Sequence, residues 1–156
     1  MKQLLLICAV MMGHSVLAAD KEPATKEESA EIIEEAIRKA AKKPEGELTK
    51  ADYEKVTYLN LNGRQLTSVK GLENLTQLKT LYLSRNQLTD VKGLEKLTQL
   101  KEMYLNNNQL TSAKGLEKLT QLEGLHLGTN PDLTKAQIDE LQKALPKCTI
   151  LSNPKK

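Results

Sequence analysis

The sequence predicts an α/β solenoid, in which short coils stack and each contributes one strand to a parallel β-sheet on the concave face. The main observation is a repeat: LKTLYLSRNQL begins at Leu78, LKEMYLNNNQL at Leu100 and LEGLHLGTN at Leu122, so the starts are 22 residues apart. Apolar and polar residues alternate within each unit, which is typical of a strand. Because a unit of this length cannot bury its apolar side chains alone, neighbouring coils must stack.

Residues 1–19 are predicted to form a secretory signal peptide. Lys2 precedes an apolar run, and small residues near the end are suitable for cleavage after Ala18 or Ala19. An uncleaved membrane anchor is the alternative, although the apolar run is short for a membrane span. We therefore expect a secreted or periplasmic protein that has no membrane contact once the signal is removed.

The composition excludes some classes of partner. Removing Lys2 leaves 22 of the 23 basic residues against 20 acidic ones, and the two signs are mixed along the chain. A nucleic-acid partner or an anionic membrane surface would favour a basic cluster, so neither is expected. Cys148 is the single cysteine after cleavage, which rules out an internal disulfide, and we expect a buried, inert thiol there.

Residues 20–29 are polar and charged, and they are predicted to form a flexible lead-in. Residues 30–55 are predicted to form an N-terminal helical cap, in which Ile33 and Ile37 share one apolar face and Pro44 ends the helix. This cap would cover the first coil of the array.

Two capping boxes predict further helices. Thr49 with Asp52 marks the start of a short second helix in the cap, and Thr134 with Gln137 marks the start of a helix over Lys135 to Ala144. The helix over Lys135 to Ala144 replaces the convex segment of the last full repeat.

Residues 56–156 are predicted to form the repeat array, with four repeats, a partial fifth and a C-terminal cap. Alignment on LxxLxLxxN gives Val56-Leu59-Leu61-Arg64, Leu78-Leu81-Leu83-Asn86, Leu100-Met103-Leu105-Asn108, Leu122-Leu125-Leu127-Asn130 and Leu145-Cys148-Ile150-Asn153. The apolar positions point inward. Asn86, Asn108 and Asn130 recur where the chain leaves each strand, and their amides are predicted to bond backbone groups that the bend leaves unpaired.

These units resemble the internalin-type leucine-rich repeat proteins of bacteria, and the resemblance covers residues Val56 to Asn153. The ending ALPKCTI is similar to the last repeat of many small secreted bacterial proteins of this kind, which implies a bacterial source. The resemblance also implies a non-catalytic protein whose concave sheet face contacts a partner. It does not identify that partner.

The strand-exposed positions differ between coils, whereas the convex segments are nearly identical, so the concave face is the predicted binding surface. The candidate ligand-binding residues are Tyr58, Asn60, Tyr82, Arg85, Glu102, Tyr104, Asn106 and His126. Strand spacing places Tyr82, Tyr104 and His126 about 4.8 Å apart in one column. Gly124 and Gly128 flank His126 without side chains, which predicts a dip there. A cross-strand column that only stabilises the sheet is the alternative.

Three functions remain open at this point. Protein or peptide binding is the leading hypothesis, binding of a glycan or cell-envelope polysaccharide is the second, and a repeat scaffold without a dedicated ligand is the third. An enzyme is not expected, because His126 has only Glu102 as a nearby carboxylate on the same face. We predict no catalytic residue, no metal site and no cofactor. A monomer is expected, since caps would cover the edge strands at both ends.

Overall fold

The computed structural model describes residues 22–153 and places five strands in one parallel sheet. The strands are β1 (Tyr58–Asn60), β2 (Thr80–Tyr82), β3 (Glu102–Tyr104), β4 (Gly124–His126) and β5 (Thr149–Leu151), paired in that order. Each coil contributes one strand, which confirms the predicted solenoid. The predicted signal peptide and the first residues of the predicted lead-in lie outside the described residues. None of the described helices is long and apolar enough to cross a membrane.

The N-terminal cap contains two helices, α1 (Lys26–Ala41) and α2 (Lys50–Glu54). Ile33 and Ile37 of α1 are buried in the core that the coils share, and α1 lies against β1. Tyr53 of α2 is partly buried against the same core. The cap therefore extends the apolar interior beyond the first coil.

The structure differs from the predicted flexible lead-in over the second half of residues 20–29. The Thr25 N–H donates to Glu28 Oε2 at 2.8 Å and the Glu28 N–H donates to Thr25 Oγ1 at 3.1 Å, so α1 begins earlier than predicted. Ser29 is fully buried, and its Oγ accepts from the Thr67 N–H at 3.1 Å. This segment is held by hydrogen bonds to the first coil. Its low apolar content gave no indication of these contacts in the sequence.

The convex side consists of short 3-10 helices in the first three coils and of a longer helix in the fourth. The short helices are Leu72–Asn74, Leu94–Lys96 and Leu116–Lys118, and the longer one is α3 (Lys135–Ala144). The Thr134 N–H donates to Gln137 Oε1 at 2.9 Å, and the Gln137 N–H donates to Thr134 Oγ1 at 3.3 Å. The predicted capping box of α3 is thus confirmed.

Asn86, Asn108 and Asn130 form a buried column that we call the asparagine ladder. The Nδ2 of Asn108 donates to the carbonyl of Leu83 at 2.9 Å and to that of Leu105 at 3.0 Å, while its Oδ1 accepts from the Leu88 N–H at 3.1 Å. One side chain therefore joins two consecutive coils. The predicted structural role of the ladder is confirmed.

The predicted frame of the fifth coil is wrong. Ile150 pairs with Leu125, not with the position of Leu127, and it follows Leu125 by 25 residues (125 to 150) where the earlier coils advance by 22. The fourth coil contains α3 and the turn after it. It is therefore longer than the insertion of Pro131 and Asp132 alone predicts. Cys148 consequently precedes β5 rather than lying within a strand.

Two consequences follow from the shifted frame. Cys148 is still buried as predicted, and burial raises the pKa of its thiol to about 11, with a smaller contribution from Glu102. Leu151 takes the position after His126 on the concave face, where 52% of it is exposed. No strand within residues 22–153 pairs with the outer edge of β5, whereas α1 lies against β1.

Asn108→Ala is expected to lower the free energy of unfolding by about 3 kcal/mol, because it leaves buried backbone groups of two coils without partners. Chemical denaturation would measure the change. Asn74→Ala is the matched control, since Asn74 is exposed on the convex side and its loss should change stability by less than about 0.5 kcal/mol. Equal effects of the two substitutions would contradict the role of the ladder.

Asp52 joins α2 to Lys43, which lies two residues after the end of α1. Its Oδ2 accepts from Lys43 Nζ at 2.9 Å and from Thr49 Oγ1 at 2.7 Å, and its Oδ1 accepts from Lys55 Nζ at 2.9 Å. The hydrogen bond from Lys43, followed by those from Thr49 and Lys55, holds the pKa of Asp52 well below the ordinary carboxyl range. The ionised carboxylate therefore stabilises the cap.

Asp52→Asn is expected to destabilise the protein at neutral pH, and its difference from wild type should shrink as the pH falls. The pKa of Asp52 is lowered by folding, so its contribution is complete above the unfolded carboxyl pKa of about 3.9 and is lost progressively below it. Urea denaturation at several pH values tests this. Asp139→Asn is the control, because Asp139 has one exposed pair with Lys135. A difference independent of pH would refute the prediction.

Candidate functional site

The concave face of the sheet presents three columns of side chains: two with one residue from each of the five coils, and one with residues from the first three coils. The first column is Tyr58, Thr80, Glu102, Gly124 and Thr149; the second is Asn60, Tyr82, Tyr104, His126 and Leu151. The third is Asn62, Ser84 and Asn106. Seven of the eight candidate residues thus lie on one face, and Arg85 follows the third column at the rim.

Four rings form a continuous row that we call the aromatic stack: Tyr58, Tyr82, Tyr104 and His126. The ring centroids of Tyr82 and Tyr104 are 4.4 Å apart with planes 4° from parallel, and those of Tyr104 and His126 are 4.4 Å apart at 24°. Tyr58 belongs to the first column, yet its ring lies 5.6 Å from that of Tyr82 at 53°. Sequence spacing identified three members, but Tyr58 joins through its side-chain direction, which spacing does not reveal.

The stacking determines which parts of the rings are free. The faces of Tyr82 and Tyr104 are covered by neighbouring rings, so their edges and hydroxyl groups are what a partner can contact. Each stacked pair contributes about 0.5–1.5 kcal/mol beyond area burial. Tyr58 ends the row and is 53% exposed, which leaves its outer face uncovered. The stack therefore has both a structural role and an accessible surface.

The predicted dip beside His126 is filled on one side. A Cβ on Gly124 would collide with the carboxylate of Glu102, so the missing side chain makes room for that carboxylate rather than for a ligand. On the other side a shallow depression of about 270 Å³ is lined by His126, Gly128 and Leu151 among others. The expectation of a dip holds only at Gly128.

Glu102 and burial both act on the phenol of Tyr104. Burial raises the pKa of Tyr104 above its ordinary value, and Tyr82 and the Glu102 carboxylate raise it further. The phenol remains protonated at neutral pH, and Tyr82 and Glu102 are its hydrogen-bond partners. A protonated, hydrogen-bonded phenol does not suit general-base chemistry.

The third column is a hydrogen-bonded polar strip. Asn62 Oδ1 accepts from the Ser84 N–H at 2.8 Å, and Ser84 Oγ donates to Asn106 Oδ1 at 2.6 Å. Ser84 is buried, whereas Asn106 is half-buried. Asn106 therefore keeps its amide N–H groups for a partner, while its oxygen is already engaged.

Arg85 lies at a repeated backbone position with positive φ. Gly63, Arg85, Asn107 and Thr129 occupy equivalent sites in four coils, with φ values of 63°, 58°, 56° and 55°. A left-handed conformation costs a residue other than glycine about 1–2 kcal/mol, so the coil geometry imposes this turn whatever the side chain. Arg64, which replaces the ladder asparagine in the first coil, is also exposed at this rim. In the sequence, Arg64 appears only as a departure from the repeated asparagine.

The described part of the chain shows no cluster of three or more His, Cys, Asp or Glu side chains that could hold a metal ion. His126 packs against Tyr104. The arrangement offers aromatic edges, amides and charged groups on a broad shallow surface, which are contacts suited to binding.

The family model for leucine-rich repeats matches the chain twice, over residues 54–96 and 98–143. The chain belongs to the leucine-rich repeat family. Proteins of this family commonly mediate protein binding and are generally non-enzymatic. No curated protein matches the chain.

Solved internalins share the fold of this leucine-rich repeat protein. Internalin C2 from Listeria monocytogenes is 24% identical with a TM-score of 0.68, and the match covers 80% of this chain and 56% of that one. Internalin F from the same organism is 25% identical with a TM-score of 0.58, covering 80% and 44%. The predicted resemblance to internalin-type repeats is confirmed for the fold. The chain spans about half the length of these proteins.

Glu102→Gln is expected to lower the pKa of Tyr104 without returning it fully to the ordinary value, because burial is the larger cause. NMR titration of protein labelled at the tyrosine ring carbons would resolve this phenol from the other three. Glu123→Gln is the matched control, since Glu123 is paired with Lys101 at 2.8 Å. An unchanged pKa in Glu102→Gln would mean that the carboxylate does not act on the phenol.

Proposed function

We propose that this leucine-rich repeat protein binds a protein or peptide through its concave face, with the aromatic stack at the centre of the contact. The observation that carries the proposal is the row of four rings, whose exposed edges and hydroxyl groups lie beside a polar strip. Tyrosine is enriched in protein interfaces because it combines apolar area with a polar tip. The common role of leucine-rich repeat proteins in protein binding supports the same proposal.

The ring geometry limits where a sugar could stack. A sugar ring typically packs its C–H face on an open aromatic face. The faces of Tyr82 and Tyr104 are taken by their neighbours at 4.4 Å, so Tyr58 is the tyrosine of the stack with an open face. Edges and hydroxyl groups instead suit side chains and backbone amides.

We further propose that the protein acts outside the cytoplasm. The support is the sequence of residues 1–19, with its basic start, apolar run and small residues before Asp20. Mass spectrometry of the protein recovered from the medium or periplasm of the source cell tests this. A new N-terminus at Ala19 or Asp20 is expected, and an intact Met1 in a membrane fraction would contradict it.

Tyr82→Ser/Tyr104→Ser is expected to lower the affinity for a partner by about tenfold or more, because tyrosines at the centre of an interface contribute a large share of the binding energy. Secreted and surface proteins of the source cell, and in parallel its envelope glycans, would be captured on immobilised protein. Captured partners would be identified by mass spectrometry and their affinities measured by calorimetry.

Lys92→Ser/Lys114→Ser is the matched control for that experiment, since both lysines are exposed on the convex side. Circular dichroism must show that both double variants fold, because the tyrosine variant also loses stacking energy. A protein held by wild type and the lysine variant but not by the tyrosine variant supports the proposal. Capture of a glycan alone would support glycan binding instead. Equal capture by wild type and both double variants would show that the aromatic stack is not the binding site.

A further inference from the structure

Arg64 and Arg85 lie one coil apart at the same rim of the concave face. The Arg64 N–H donates to Asn86 Oδ1 at 3.0 Å, and the Arg85 N–H donates to the carbonyl of Asn106 at 3.0 Å. Their backbones are thus held by the solenoid. Both side chains are exposed, and within residues 22–153 neither guanidinium forms an ion pair or a side-chain hydrogen bond.

A groove of about 470 Å³ runs between α1 and β1 and is bordered by Arg64. Its apolar wall includes Ile32 and Ala36 of α1 and Tyr58 at the end of the aromatic stack. Lys39 also lines it and, like Arg64, has no ion pair within the described residues, whereas Glu35 is the single acidic side chain there. The groove and the adjoining rim therefore combine apolar area with three cations and one anion.

Some basic side chains of the molecule are paired with carboxylates. Lys101 is paired with Glu123 at 2.8 Å, and Arg38 of α1 is paired with Glu34 at 2.8 Å. Within residues 22–153, Arg64 and Arg85 have no acidic counterpart of this kind, as is also true of Lys92 and Lys114 on the convex side. The uncompensated charge of the two arginines is local, since the whole chain is nearly neutral at +3.

We propose that this rim binds an acidic, extended peptide segment of a protein partner, with an apolar side chain of the peptide in the groove and its carboxylates on Arg64 and Arg85. The inference rests on the proposed function and adds the chemistry of the partner. A guanidinium binds a carboxylate through two parallel hydrogen bonds, which gives the contact direction as well as energy. Complementary charge also speeds association.

The apolar wall favours a peptide over an anionic polysaccharide. A polyuronate carries carboxylates but has no apolar side chain to place against Ile32, Ala36 and Tyr58. A nucleic acid would need a longer run of cations along its backbone than three side chains provide. An acidic peptide with one apolar residue matches both parts of the surface.

The test uses the full chain and a fluorescent glutamate-rich peptide that contains one leucine, together with the same peptide in which glutamine replaces glutamate. Fluorescence anisotropy is expected to show binding of the acidic peptide at least about tenfold tighter than of the glutamine peptide. The affinity should fall as NaCl rises to about 0.3 M, because the charges are exposed and screened. Arg64→Gln/Arg85→Gln should remove the preference for the acidic peptide.

Lys92→Gln/Lys114→Gln removes the same charge from the convex side and should leave the preference unchanged. Equal binding of the two peptides by wild type, no binding of either, or an unchanged preference in the arginine variant would overturn the proposal. Tighter binding of a polyuronate than of the acidic peptide would also overturn it. A natural partner that the arginine variant retains and the Tyr82→Ser/Tyr104→Ser variant loses would refute this inference while leaving the concave-face function intact.

Discussion

The register between coils is the constraint on which the rest of the structure depends. Each ladder asparagine contacts carbonyl groups of two consecutive coils, as Asn108 does with Leu83 and Leu105. These contacts recur every 22 residues, so equivalent positions align across the sheet. The same alignment brings Tyr82 and Tyr104 within stacking distance. The alignment of side chains on the concave face therefore follows from how the interior satisfies its backbone groups.

The equal spacing of the repeats explains why most strands could be predicted from the sequence. It also explains why the prediction failed at the coil whose length differs. The first four strands and the column of Tyr82, Tyr104 and His126 follow from the repeat alone. The fifth strand does not, because α3 changes the length of its coil and spacing no longer gives the register. The start of α1 was missed for another reason: Ser29 is buried through hydrogen bonds to a residue 38 positions away, and such a contact leaves no local pattern.

The concave face divides its side chains between internal contacts and exposed groups. The ring faces of Tyr82 and Tyr104, the oxygen of Asn106 and the space above Gly124 are all occupied by neighbours. The outer face of Tyr58, the amide N–H groups of Asn106 and the guanidiniums at the rim have no such partner within residues 22–153. Under the proposed function, such a preorganised surface reduces the entropy lost on binding. The proposal then assigns specificity to a few polar groups and charges rather than to a deep pocket.

The identical register of the inner coils has a consequence for how such a protein changes size. Duplication of one 22-residue unit between the second and third coils would reproduce the strand register and the asparagine contacts, because each coil meets its neighbours through the same positions. The N-terminal cap and α3 would keep their own partners. The sheet would grow by about 4.8 Å per added unit. A longer concave face is thus obtained by duplicating a gene segment, and no new side chain has to evolve.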